Sequence, residues 1–217
     1  MEPKSREETG KRPRGRPRSF DRDQALDAAV LVFWDKGYDG SSIEDLTHAM
    51  GINRPSLYAT FGNKRDLFMQ AIDRYAATHG NRTFSAFRLE PDNRKAIERF
   101  FDASIECALA EGTPRGCLIN TVATEAAEND AELRDKLADM FTQTDAAIAR
   151  RLASNHDADA SPIHDPEGLA RMAHSVTHSI MTRARAGASR AELEHIADAF
   201  IAVLFPQPQE RPMRRRP

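Results

Sequence analysis

The chain has 217 residues, 40% of them hydrophobic and 29% charged, with two cysteines and a net charge of −2. That composition suits a globular protein with a real core. It excludes a disulfide framework, and the expected setting is a reducing cytoplasm. No run approaches the roughly 18 apolar residues of a membrane span, and no secretory signal pattern is recognised. The total charge hides an asymmetry. Residues 1–20 carry seven Lys or Arg against three Glu, a net +4, so the remainder carries −6. A basic arm on an acidic body directs phosphate attraction to one end.

Residues 1–19 lack an apolar pattern and read as a disordered basic arm. Within it, Arg14-Gly15-Arg16-Pro17-Arg18 is similar to the AT-hook core, whose extended Arg side chains lie in a narrow minor groove. The alternative is a solvated tail. Asp21 is a good N-cap, with Phe20 as a hydrophobic staple. Ala25, Ala28, Ala29, Val32 and Phe33 then recur at helical spacing up to Gly37. Trp34 and Tyr38 are expected in the small core beside it.

Ser41 or Ser42 can cap the next helix, with Glu44 or Asp45 at capping-box spacing. Ile43, Leu46 and Ala49 form its apolar face, and Gly51 stands where helices end in a left-handed residue. Asn53-Arg54-Pro55 opens a second short helix, Pro being tolerated in a first turn. Its apolar side is Ile52, Leu57 and Phe61, which leaves Arg54, Ser56, Tyr58 and Thr60 outward. A two-turn helix with that polar edge suits a DNA major groove. Asn63 caps a further helix, whose N-terminus and Lys64 can accept a phosphate that Tyr58 also reaches. That helix is expected to run to about His79 and stop at Gly80-Asn81.

The rest reads as all-helical. Helices are predicted over 93–111, 117–128, 130–155, Pro166–Ala186 and from the Ser189–Glu192 capping box to Phe205. Gly112 to Gly116 and the polar stretch 156–165 are breaks. Residues 206–217 form a disordered basic tail. No strand pattern and no repeat is present. The expected organisation is an arm (1–19), a helix-turn-helix unit (20–66), a helical body (67–205) and the tail, with about nine helices.

The runs FDRDQALDAAVLVFWDKGYDGSSIEDL and AMGINRPSLYATFGNKRDLF resemble the DNA-binding unit of the tetracycline-repressor (TetR) family of bacterial regulators. Gly51-Ile52 and Leu57-Tyr58-x-x-Phe61-x-x-Lys64-x-x-Leu67 carry much of the likeness, which spans about 20–72. The run Pro114–Asn120 resembles a feature of one subgroup. The resemblance implies an all-α fold with an N-terminal helix-turn-helix domain and a C-terminal effector-binding and dimerisation domain. It implies double-stranded DNA as partner, held by Arg14, Arg16, Arg18, Ser42, Asn53, Arg54, Pro55, Ser56, Tyr58, Thr60 and Lys64.

The last two helices are rich in small residues, with Leu169, Met172, Val176, Ile180, Ile196, Phe200 and Val203 between them. They are expected to form a four-helix bundle with a second copy, spacing the reading helices roughly 34–36 Å apart. Packing within one subunit is the alternative. The middle helices are expected to enclose an effector pocket. Phe84, Phe87, Phe100, Phe101, Ile105, Met140 and Phe141 are candidate walls. Asn120, Thr121, Thr124 and His174 are candidate polar handles, and Cys117 is a further candidate lining residue.

Cys117 opens a helix beside Arg115, where a thiol can have a lowered pKa and sense oxidants or electrophiles. The alternative is a small buried hydrophobe. Cys107 is expected to be inert. His174 and His178 have i, i+4 spacing without a third ligand, so no metal is expected. No Gly-rich phosphate loop or nucleophile elbow is present, so neither a cofactor nor enzymatic activity is expected. The function expected is a homodimeric DNA-binding regulator, a repressor released by a small-molecule effector. A thiol switch at Cys117, or a ligand-binding module or enzyme without DNA binding, are the alternatives.

Overall fold

The computed structural model describes residues 20–154 and 163–206, and every regular element among them is helical. Arg14, Arg16 and Arg18 lie outside the described residues, as does the basic tail beyond residue 206. Setting aside a three-residue turn, the described residues hold nine helices. None is long and apolar enough to cross a membrane.

Helix α1 (Arg22–Gly40) starts where the Asp21 carboxylate accepts the amides of Asp23 and Gln24. It is interrupted at Gly37, whose φ of +77° leaves the helical region. Phe33 packs edge-on to Phe68 at 4.9 Å, and Tyr38 meets the same ring at 4.9 Å. Trp34 turns elsewhere. It stands edge-on to Tyr75 at 5.0 Å and to His79 at 5.3 Å, so it anchors α1 to the distal end of the helix after the reading pair.

That helix, α4 (Lys64–Tyr75), does not stop at Gly80-Asn81. It passes through a π turn, Ala76–Gly80, into α5 (Asn81–Leu89). Gly80 keeps helical angles (φ −61°, ψ −44°). Glycine permits a break without imposing one, and no proline removes a backbone donor here. Helix α6 (Asn93–Ala108) is capped by Asp92. The predicted helix over 117–128 is instead a π turn, Leu118–Ala123, then α7 (Thr124–Ala126) and a 3₁₀ turn, Ala127–Asn129. Helices α8 (Ala131–Ala153), α9 (Pro166–Arg185) and α10 (Arg190–Leu204) complete the body, capped by Asp130, Asp165 and Ser189.

Helix α1 packs on α4, α6 packs on α5, α9 and α10, and α8 lies along α9. One continuous core runs from Phe33 to Phe200. Polar ties join the front of the chain to the body. Asp73 pairs with Lys136 at 2.5 Å, and Arg185 donates to the carbonyls of Trp34 (2.8 Å) and Asp35 (3.1 Å).

Candidate nucleic-acid interface and internal cavity

Helix α2 (Ile43–Met50) is capped by Ser42, not Ser41. The Ser42 hydroxyl accepts the Asp45 amide at 3.0 Å, and the Asp45 carboxylate accepts the Ser42 amide at 3.0 Å. A Lys36 ammonium 2.6 Å away, with the Ser42 bonds, holds Asp45 well below the carboxylate range. Ser41 is buried and its hydroxyl donates to Gly37 O at 2.6 Å. Gly51 closes α2 in the left-handed region, with φ +64°. The amides of Gly51 and Ile52 return to the carbonyls of His48 and Thr47. The chain therefore turns sharply into α3 (Arg54–Phe61), where the Asn53 side chain accepts the Ser56 amide at 2.8 Å.

Leu57 and Phe61 are buried, which fixes the roll of α3. Arg54, Pro55 and Tyr58 are then exposed, and Ser56 and Thr60 half-exposed, on the opposite edge. Tyr58 shows 51% of its surface, unusual for a large side chain on a packed helix. Arg54 lies 3.8 Å from Glu44, both well exposed, so the pair is weak and easily given up. Ser42 and Asn53 spend their side-chain oxygens on caps, and with Pro55 they shape the turn.

At the start of α4, Asn63 and Asp66 form a reciprocal capping box. It leaves the amides of Lys64 and Arg65 without intrahelical acceptors, pointing at a site for an anion. Lys64 Nζ rests 4.6 Å above the Tyr38 ring and 3.5 Å from Asp39 O.

A cavity of about 110 Å³ lies inside the body. Of the predicted pocket residues, Phe84, Phe100, Cys117, Asn120, Met140, Phe141 and His174 line it. Phe101 and Ile105 do not; they are buried elsewhere in the core, Phe101 against Phe200 at 5.8 Å. Nor do Thr121 and Thr124, whose hydroxyls donate to carbonyls of their own turn, Thr121 to Cys117 O and Thr124 to Asn120 O. Phe87 packs behind Phe84 and Phe100. Tyr75, His79 and Cys107 also line the cavity, although their sequence pattern does not single them out as pocket residues. Tyr75 and His79 stack at 4.6 Å and 9°. Their i, i+4 spacing is the one signal that could have paired them.

The thiols are not activated. Burial pushes Cys107 up to about 11 and raises Cys117 as well. Cys117 follows the reading of a small buried hydrophobe, and burial outweighs any lowering that a helix N-terminus could give it. Arg115 also turns away, its guanidinium donating to Ala188 O at 2.6 Å. Burial likewise pushes the Tyr75 hydroxyl well above its ordinary value and lowers His79. His174 Nδ1 lies 2.6 Å from Asp145, and its Nε2 lies 3.2 Å from His178 Nε2. Burial, and then the His174 ring, hold His178 down at about 4. No cluster of three metal-ligating side chains occurs among the described residues.

On the last two helices, Met172 and Val203 are exposed by 51% and 74%. Leu169, Val176 and Ile196 are half-buried. Ile180 and Phe200 are buried within the subunit, which removes them from any outer face. Each step of four residues drifts about 40° around a helix. Two such steps from Met172 therefore carry Ile180 into the core.

The sequence pattern of bacterial regulatory proteins of the tetR family matches residues 25–71, and that of the tetracyclin repressor-like C-terminal domain matches 94–200. The chain is 33% identical to the HTH-type transcriptional repressor ComR of Escherichia coli over 198 residues, covering 89% of this chain and 93% of that one. It is 32% identical to the repressor BdcR of the same organism, covering 80% and 90%. Among solved structures it is similar to a cysteine-substituted TetR family regulator, CifR, complexed with 26-bp double-strand operator DNA. The TM-score is 0.79 at 31% identity, covering 86% of this chain and 98% of that one.

Proposed function

The chain belongs to the tetR family of bacterial regulatory proteins, DNA-binding transcriptional regulators that are not enzymes, and we propose that it acts in the cytoplasm as a homodimeric repressor released by a small effector. The observation that carries this reading is the uncovered polar edge of α3. Arg54, Ser56, Tyr58 and Thr60 stand outward on a helix whose roll is set by buried Leu57 and Phe61. In this reading that edge enters the major groove. Lys64, the α4 amides and Tyr58 grip phosphate, and Arg14, Arg16 and Arg18 track the minor groove. Residues 1–19, 20–66, 67–205 and 206–217 serve as arm, reading unit, effector and dimerisation body, and tail.

Met172, Val176, Ile196 and Val203 supply an outward apolar stripe for the second copy, with Leu169 at its margin. The cavity supplies the control. It touches Tyr75 at the distal end of α4 and His79 in the π turn that follows, and Lys64 begins α4. An effector that fits the cavity better when α4 is tilted draws the population away from the DNA-gripping state.

A gel shift on the DNA upstream of the chain's own gene, with light scattering of the free protein, tests the reading. A retarded dimer complex that weakens with salt is expected. A monomer at working concentration, or no retardation at low salt, would overturn it.

A further inference from the structure

The cavity's chemistry narrows what can occupy it, an inference that rests on the regulatory reading above. We propose that the effector is an uncharged, largely apolar molecule of about six to eight non-hydrogen atoms, held through one oxygen by the side-chain amide of Asn120.

Size comes first. A cavity of roughly 150 Å³ lined by apolar groups admits benzene. The 110 Å³ here is somewhat smaller but partly open to one side, so it seats about one small ring or a chain of similar bulk.

Charge comes second. Among the described residues, no Lys, Arg, Asp or Glu lines the cavity. The lining groups Tyr75, His79 and both thiols are kept in their neutral forms by burial. The carboxylate of Asp145 is engaged by His174 and opens on an adjoining surface groove with Arg171, which shares Phe141 and His174 with the cavity. An ion entering the cavity would lose its water, and His174, the lining ring with an ionic partner, is already engaged by Asp145. A neutral apolar molecule instead meets the rings of Phe84, Phe100 and Phe141 and the sulfur of Met140.

Polar specificity comes third. The lining hydroxyls of Ser104, Thr83 and Thr177 are satisfied nearby, on Phe100 O, His79 O and Ala173 O, which leaves the Thr144 hydroxyl beside Asn120 as a second polar group on the wall. Asn120 bonds through its backbone, the amide to Cys117 Sγ and the carbonyl to the Thr124 hydroxyl. Its side chain lines the cavity with both a donor and an acceptor to offer. An alcohol, phenol, aldehyde or ketone oxygen suits it.

The molecule carries its own reporter. Trp34 is the single tryptophan and stands against the stacked Tyr75 and His79 rings that wall the cavity. The full chain is titrated with phenol, toluene and benzoate while Trp34 fluorescence is monitored, and the same samples are run with the DNA fragment. Phenol is expected to give a saturable change, toluene a weaker one, and benzoate none over the same range. Asn120→Leu should weaken phenol at least tenfold and leave toluene within about twofold. Cys107→Phe, which fills the cavity from α6, should abolish both responses, with thermal melts confirming that each variant folds. Benzoate binding as tightly as phenol, an unchanged phenol affinity in Asn120→Leu, or silence towards both neutral probes would each overturn the assignment. If the DNA fragment is bound all the same, the regulatory reading survives that failure. If no DNA is bound at any salt, the regulatory reading falls whatever the probes do.

Discussion

The guanidinium of Arg65 grips the carboxylate of Asp130 in a fork, Nε donating to Oδ2 at 2.5 Å and Nη2 to Oδ1 at 2.9 Å. Arg65 lies in the first turn of α4 and Asp130 is the N-cap of α8, so one contact pins the N-terminal end of α4 to a helix that walls the cavity. Arg65 also reaches Glu132 at 2.8 Å. Bidentate pairs of this kind fix orientation as well as adding attraction.

Arg65→Ala and Asp130→Asn should each lower the unfolding midpoint, and the double variant should lower it little further, since both remove one contact. Full additivity in a urea-melt cycle would deny the pairing. The Arg65 hydrogen bonds hold Asp130 at about 2, below the ordinary carboxylate value of 3.8. Its contribution is therefore complete above about pH 4 and is lost as pH falls through 2.

Lys64→Ala should weaken binding to every DNA sequence and reduce the slope of log affinity against log salt by about one. Arg54→Ala should instead change which bases are preferred, at a cost of about 1–3 kcal/mol on the preferred site. Binding measured at several salt concentrations on two DNA sequences separates these outcomes.

Gly62→Ala should destabilise the α3–α4 junction by about 1–3 kcal/mol. Gly62 has φ +83°, and an added Cβ would fall 2.3 Å from Asp66 Oδ2, the oxygen that accepts the Asn63 amide. A denaturation midpoint equal to the parent's would refute the role given to that capping box.

His178 folds with a pKa of about 4 against an ordinary 6.5. The unfolded chain binds the proton first, so stability falls as pH drops from about 6.5 to 4 and is level above that window. At full burial the displacement would be worth about 3 kcal/mol; for this partly exposed ring about 1–2 kcal/mol is expected. His178→Gln should flatten the melt midpoint across that window, and an unchanged acid limb would assign it to other groups.

The local rules carried most of the fold. Asp21, Asn53, Asn63 and Ser189, and Ser42 of the Ser41–Ser42 pair, cap helices where their spacing predicts, because a cap is decided within three or four residues. The outward edge of α3 was legible for the same reason. What escaped depends on packing between distant segments. The inward turn of Ile180 and Phe200 is set by neighbours on other helices. So is the approach of Tyr75 and His79 to Trp34, which no periodicity within one helix encodes. Cys107 joined the cavity because α6 faces α4 there, although its own pattern reads as plain core.

The π turn at Ala76–Gly80 connects the stem of the reading unit to the cavity's second wall. It holds one residue more per turn than an α-helix, and backbone hydrogen bonds exchange partners whole. Relaxing it moves the register by a full residue, about 100° of twist between the helical segments on its two sides. A joint of that sort clicks between settings and does not slide. A protein that signals through it would switch each molecule between two discrete settings, while the share of molecules switched rises smoothly with ligand.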